Sequence, residues 1–187
     1  VYNRKQSIVL QEVLNMNAII ENLLTRRSTR AFLQKEIPDN ELNEILQAAI
    51  YAPSGMGKQT WKFTVLCNQE KTQQLAELIG RKLGRKGYDM YRPQVLIIPS
   101  NQKENPHGME DNACALENIF LAAHSFGIGS VWINQLRTLC DDPEVRALLD
   151  EFEIPSDHVV YGMAALGYPA DAPKKEIHKI GEIRIIK

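Results

Sequence analysis

The chain has 187 residues, and 22 Lys and Arg stand against 23 Asp and Glu for a formal net charge of -1. That length builds one substantial core without requiring a second domain. The balanced charge lacks the basic field that nucleic acids and anionic membranes attract, so neither is expected as a partner. Cys67, Cys114 and Cys140 are far apart and form no Cys-x-x-Cys pair, which fits reduced thiols in a cytoplasmic protein better than a metal site or a redox dithiol. No apolar run reaches membrane-spanning length, and the first residues lack the layout of a signal peptide.

Residues 1–15 precede Met16-Asn17-Ala18, which has the look of a natural start just ahead of the first helix pattern. They are expected to be an N-terminal extension or an expression remnant, with residues 16–187 forming the single domain. The alternative is a native amphipathic arm striped by Ile8, Val9, Val13 and Leu14. Ile19, Ile20, Leu23 and Leu24 then recur at helical spacing over 18–26, predicting an amphipathic helix against a core. Directly after it stands Arg26-Arg27-Ser28-Thr29-Arg30. Guanidinium and hydroxyl donors packed this closely suit a phosphate ester, although basic residues also gather at helix C-termini, where they meet the negative end of the dipole.

Pro38 opens a second helix with Leu42, Ile45, Leu46, Ala49 and Ile50 on one face, and Pro53-Ser54-Gly55-Met56-Gly57 breaks it. Trp61–Cys67 reads as a strand, 70–83 as a helix, 84–92 as a loop and Gln94–Ile98 as a short strand buried on both faces. Asp111–Phe126 is the longest helix and is apolar nearly all round, a pattern for the centre of a domain or a subunit interface. His124 within it reads as a hydrogen-bonded core or interface residue. Gly127-Ile128-Gly129-Ser130 ends this helix, and a short apolar stretch runs on through Ile133. Asp141-Asp142-Pro143 starts a helix reaching about Phe152, and His158–Leu166 is a last core strand. Beyond Tyr168-Pro169 lies an extended tail over 170–187, rich in Lys.

Arg-Arg-Ser-Thr-Arg-Ala-Phe at 26–32, Ala-Pro-Ser-Gly-Met-Gly-Lys-Gln-Thr-Trp at 52–61, Gly-Ile-Gly-Ser-Val-Trp-Ile at 127–133 and Ala-Leu-Gly-Tyr-Pro at 165–169 together resemble the nitroreductase family, in its order and at about its spacing. The resemblance implies an α+β fold, a three-layer α-β-α sandwich around a mixed, mainly antiparallel sheet, assembled as an intertwined homodimer with FMN at the subunit interface. It also implies an NAD(P)H-dependent FMN oxidoreductase whose flavin passes hydride equivalents to an electron-poor acceptor such as a nitroaromatic or quinone. The alternatives are a specialised enone reductase or dehalogenase-like relative and a flavin-binding protein without turnover.

Carried onto this chain, the first motif assigns Arg26, Arg27, Ser28 and Arg30 to the flavin phosphate and pyrimidine edge. Arg30 is the candidate for stabilising the reduced, anionic ring. The loop Pro53, Ser54, Gly55 and Gly57 corresponds to the segment that reaches the flavin of the other subunit, with Gly57 standing where relatives commonly carry Asn. Asn134 and Gln135 fall where the family places a backbone amide near flavin N5. In the tail, His178 occupies the position of the family's phosphate-closing Arg, with Lys179 beside it. No metal ligand set is implied, and no side chain is required as an obligatory acid or base.

Overall fold

A computed structural model describes residues 17–171 and 179–187. The expectations for residues 1–15 and for His178 fall outside the described residues. The first helix, α1 (Ala18–Thr25), is started by Asn17, whose side chain accepts a bond from the Ile19 N–H at 2.9 Å. Helix α2 (Asp39–Ile50) has Asp39 and Glu41 in its first turn, where the helix dipole favours negative charge. Asn68 caps α3 (Gln69–Lys82), and Asp142 caps α5 (Pro143–Glu151), with Pro143 in the first turn. Between α3 and α5 runs α4 (Gly108–Ser125), the longest helix described.

The strands are β1 (Trp61–Leu66), β2 (Val95–Gln102), β3 (Gly129–Ile133), β4 (His158–Val159) and β5 (Met163–Gly167). They pair in the order β1-β2-β5-β3, with β4 on β2 beyond the end of β5, and every one of these pairings is antiparallel. The parallel contribution that makes the sheet mixed is a single bridge from Ser28 to Ser130 on the outer side of β3.

Alternation along the central strands sends neighbouring residues to opposite faces. Leu96, Ile98, Val131, Ile133, Met163 and Ala165 join one cluster with the apolar sides of α3 and α5. Val95, Ile97, Ala164 and Leu166 join the other, with Ile45 and Ala49 of α2 and Leu116, Ile119 and Ala123 of α4. The result is the three-layer α-β-α arrangement, in which β2 and β5 are covered on both faces.

Two strand boundaries differ from the sequence reading. β2 runs on to Gln102 because Ser100 and Asn101, although polar and fully buried, are satisfied there: Ser100 pairs with His158 at 3.0 Å and Asn101 with Asn112 at 3.3 Å. The single strand expected over 158–166 is two strands. Between the pairs Ile97–Ala164 and Asn101–Val159, β2 advances four residues while the other chain advances five, which is a bulge. Pro99 lies in that gap, so its missing N–H costs no ladder bond on the bulged side. Gly162 fills the bulge, because any Cβ there would meet the Trp132 indole at 2.5 Å.

A further expectation is corrected at α1. Its apolar residues do not pack against this chain's core: Ile19 is 70% and Leu24 61% exposed, and no residue of the helix is buried. What attaches α1 is polar, through Asn22 Nδ2 donating to the Leu121 carbonyl at 2.9 Å and Thr25 Oγ1 bonded to His124 Nε2 at 2.8 Å.

Candidate functional site

The segment after α1 leaves the helix and lies along the outer edge of the sheet. The Thr29 N–H donates to the Ser130 carbonyl at 2.9 Å, Leu33 N–H to Tyr168 and Ala170 N–H to Ala31. Two glycines make this close approach possible. A Cβ on Gly129 would meet Thr29 Oγ1 at 2.5 Å, and one on Gly167 would meet the Phe32 ring at 2.9 Å. The basic cluster is therefore set by backbone ladders and by missing side chains beneath it, not by its own charges.

Beside this segment opens a cavity of about 410 Å³ whose wall includes Arg26, Arg27, Ser28, Thr29 and Arg30 together with His124, the Gly127–Ser130 turn and Pro169. All four cluster residues expected from the sequence meet here, but they are held differently. Arg27 donates to the Leu24 and Arg26 carbonyls at 2.8 Å each, the helix-terminus role that its position allows. Arg26 lies 5.8 Å from the Phe120 ring centroid and 3.9 Å from a Glu117 carboxylate oxygen. Arg30 is exposed and has no side-chain bond or ion pair among the described residues, which leaves its five donors available.

His124 belongs to this wall, which sequence reading missed. It stands one turn before Gly127, at the C-terminal end of α4, and the only signal for it was its nearness to the Gly127–Ser130 motif. Burial, then the neighbouring Arg26 and Arg27, hold its imidazole below the usual histidine range. It is accordingly a neutral hydrogen-bonding partner near pH 7, and a dianion entering the cavity would relieve the repulsion from those arginines and raise it.

The loop Pro53–Gly57 lies elsewhere. Asp111, buried in the first turn of α4, accepts from the Gly55 N–H at 2.7 Å, from Ser54 Oγ at 3.4 Å and from Asn105 Nδ2 at 3.1 Å. Gly55 is required by packing, since a Cβ would lie 2.6 Å from His107. From Asp111 to His124, α4 rises about 20 Å. Within one chain, then, the loop and the basic cavity sit at opposite ends of the same helix.

Asn134 and Gln135 lie just past the far end of β3 from Gly129, along the same sheet edge. Gln135 Oε1 accepts from both the Asn134 N–H and the Tyr88 hydroxyl at 3.0 Å, and the backbone N–H of Gln135 has no partner among the described residues. Lys179 is exposed and does not line the cavity.

The Nitroreductase family model matches residues 23–94 and 82–168. A nitroreductase from Bacteroides fragilis, solved with bound FMN, shares 43% sequence identity, and the match covers 92% of this chain and 100% of that one with a TM-score of 0.87. An FMN-dependent nitroreductase from Clostridium difficile R20291 is 33% identical at a TM-score of 0.72, covering 84% of this chain and 91% of its own. A Bacillus subtilis FMN reductase (NADPH) is 27% identical over 180 residues, 86% of this chain and 70% of that protein.

Gly57 adopts φ +64°, and no heavy atom lies within 4 Å of where its Cβ would stand. Asn tolerates this conformation better than other side chains, so Gly57→Asn is expected to lower stability by no more than about 1 kcal/mol. Flavin uptake should stay unchanged or tighten by up to about tenfold, the equivalent of one good hydrogen bond. Thermal melts and equilibrium dialysis check both; a folded variant that no longer takes up flavin would mean that the loop needs a bare backbone at this point.

Proposed function

The chain belongs to the nitroreductase family, and from that premise we propose an FMN-dependent oxidoreductase that uses NAD(P)H to reduce an electron-poor acceptor such as a nitroaromatic or quinone. When bound, FMN supplies the redox chemistry, taking two electrons and a proton's worth of hydrogen from the nicotinamide and handing them on. The observation that carries the reading is the convergence of Arg26, Arg27, Ser28 and Arg30 on one cavity at the β3 edge. The donors fit the group: guanidinium and hydroxyl donors suit a phosphate monoester, and Gly127, at φ +71° with open space where a Cβ would be, leaves room beside them.

In this reading Arg26, Arg27 and Ser28 hold the phosphate, and His124 lines the same wall from the end of α4. Arg30, unpaired among the described residues, provides the positive charge that favours a ring gaining negative charge. The uncommitted Gln135 N–H supports its assignment beside the reacting edge of the ring, with Asn134 next to it. The Pro53–Gly57 loop, held by Asp111 about 20 Å from the cavity, reaches the ring of a second copy of the chain.

That second copy makes the protein a homodimer with a flavin site at each end of its interface. The exposure of Ile19, Leu24 and Tyr51, at 70%, 61% and 82%, supports it, since a solitary domain would leave these apolar groups in water. The tail adds Ile183 and Ile185, both exposed, and Lys179 and His178 are proposed to close over the phosphate as it crosses. No described helix is long and apolar enough to cross a membrane. The three free cysteines support a cytoplasmic setting.

The direct test is anaerobic addition of NADH or NADPH to the purified protein. A yellow protein whose flavin band bleaches on addition and returns with a quinone or nitroaromatic acceptor supports the reading, whereas a colourless protein that takes up no FMN contradicts it. Replacing Arg26 and Arg30 together with Ala removes two charge-assisted interactions, each of about 1.5 to 3 kcal/mol before screening. FMN affinity measured by equilibrium dialysis should fall at least about tenfold; an unchanged affinity would reassign the phosphate.

A further inference from the structure

A second concave surface lies away from the flavin cavity, where the C-terminal end of α3 meets the turn at 84–92. This cleft, about 550 Å³, is walled by Arg81, Arg85, Lys86 and Arg92 against Glu77 and Asp89. Its surplus of positive charge contrasts with the net charge of -1 for the whole chain. Arg81 is paired with Glu144 at 3.4 Å and Arg92 with Asp89 at 3.5 Å. Arg85 and Lys86 have no carboxylate partner among the described residues, and Arg85 lies only over the Tyr88 ring, 5.8 Å from its centroid. The backbone N–H groups of Lys86 and Gly87 are likewise uncommitted among the described residues. Gly87 has φ +68° and nothing within 4 Å of its Cβ position, so these donors are open to a ligand.

The turn has an unusual backbone. Met90, Tyr91 and Arg92 in succession have φ of 49°, 67° and 48°, a strained run for side-chain-bearing residues, and Met90 is fully buried beneath it. Tyr88 forms the inner wall. Burial, with Tyr91 and Asp89 adding to it against Arg85, pushes its phenol up to about 12, so the hydroxyl keeps its proton and donates to Gln135 Oε1 at 3.0 Å. The cleft is thereby tied to the residue placed beside the flavin. Lys86 is two residues from Tyr88, adding at most about 7 Å of chain to the length of the tyrosine side chain.

We infer that this cleft binds the phosphate groups of the nicotinamide nucleotide, with Arg85, Lys86 and the Gly87 amide as donors, while the nicotinamide reaches past Tyr88 to the flavin. The inference rests on the oxidoreductase reading. A nucleotide bound together with the flavin would place its phosphates elsewhere, because the cavity at Arg26–Arg30 is taken up by the flavin's own phosphate. A dinucleotide offers two candidates, the pyrophosphate present in both NADH and NADPH and the 2′-phosphate present in NADPH alone. A guanidinium and an ammonium on an exposed turn suit a terminal dianion at the end of an extended ligand, so the 2′-phosphate is the expected occupant.

The test is steady-state kinetics of the FMN-loaded protein and its Arg85→Ala/Lys86→Ala variant, with a fixed quinone and either NADH or NADPH. Both side chains are exposed and make no ion pair, so the variant should fold and keep its flavin, checked by absorbance and melting. The KM for NADPH should rise by about tenfold with the NADH KM nearly unchanged, and raised salt should abolish the parent's preference. An equal rise for both nucleotides would identify the pyrophosphate as occupant. No rise for either would overturn the inference. Calorimetry with adenosine 2′,5′-bisphosphate on parent and variant keeps the question separate from turnover. Binding lost in the variant supports the cleft even in a protein that fails to reduce an acceptor, and binding equal in both refutes it.

Discussion

The length of α4 sets the distance between the two parts of the candidate site. Its first turn carries Asp111, which holds the Gly55 amide at 2.7 Å, and its last turn carries His124, which lines the basic cavity. A rigid helix keeps these ends about 20 Å apart. It cannot shorten without losing the Leu116, Ile119 and Ala123 contacts that seal one face of the sheet. A compact site within one chain is therefore unavailable to the loop and the cation cluster together. In the proposed dimer, two copies facing one another would bring the ends together and would also cover the apolar stripe of α1 that this chain leaves in water.

The second determinant is a set of missing side chains. Gly129 and Gly167 admit Thr29 and Phe32 against the sheet, Gly162 admits the Trp132 indole at the bulge, and Gly55 admits His107. Each contact lets the facing segment lie closer to the glycine's backbone than a Cβ would permit. Backbone bonds from Thr29 to Ser130 and from Ala170 to Ala31 then fix the register of the cation segment. Its arginines are thus presented without relying on surface ion pairs, which are weak in water.

Much of this was legible in the sequence. The period of the apolar residues located α2, α3, α4 and α5, the Pro and Gly clusters located the breaks, and the clustering of Arg26, Arg27, Ser28 and Arg30 pointed to the cavity where they meet. What was not legible depended on partners distant in the chain. β2 looked finished at Ile98 because Pro99, Ser100 and Asn101 are poor strand residues, and only the bulge opposite and the buried partners His158 and Asn112 make that extension stable. The stripe on α1 promised core contact, yet periodicity does not say whose core a helix covers. His124 read as a hydrogen-bonded core or interface residue and Asp111 as an ordinary helix residue until the fold placed one against a cavity and the other under a loop. Tyr88 lay in a loop without a recognisable pattern, and its hydrogen bond to Gln135 spans 47 residues of sequence.

That each flavin is held by two chains is the central proposal. It is tested most directly by light scattering with in-line absorbance at the flavin band, on the FMN-loaded protein over a dilution series. The expected result is a dimer mass carrying one flavin per chain, with flavin and dimer lost together wherever dilution dissociates the assembly. A stable, folded monomer that retains its full complement of flavin would contradict it.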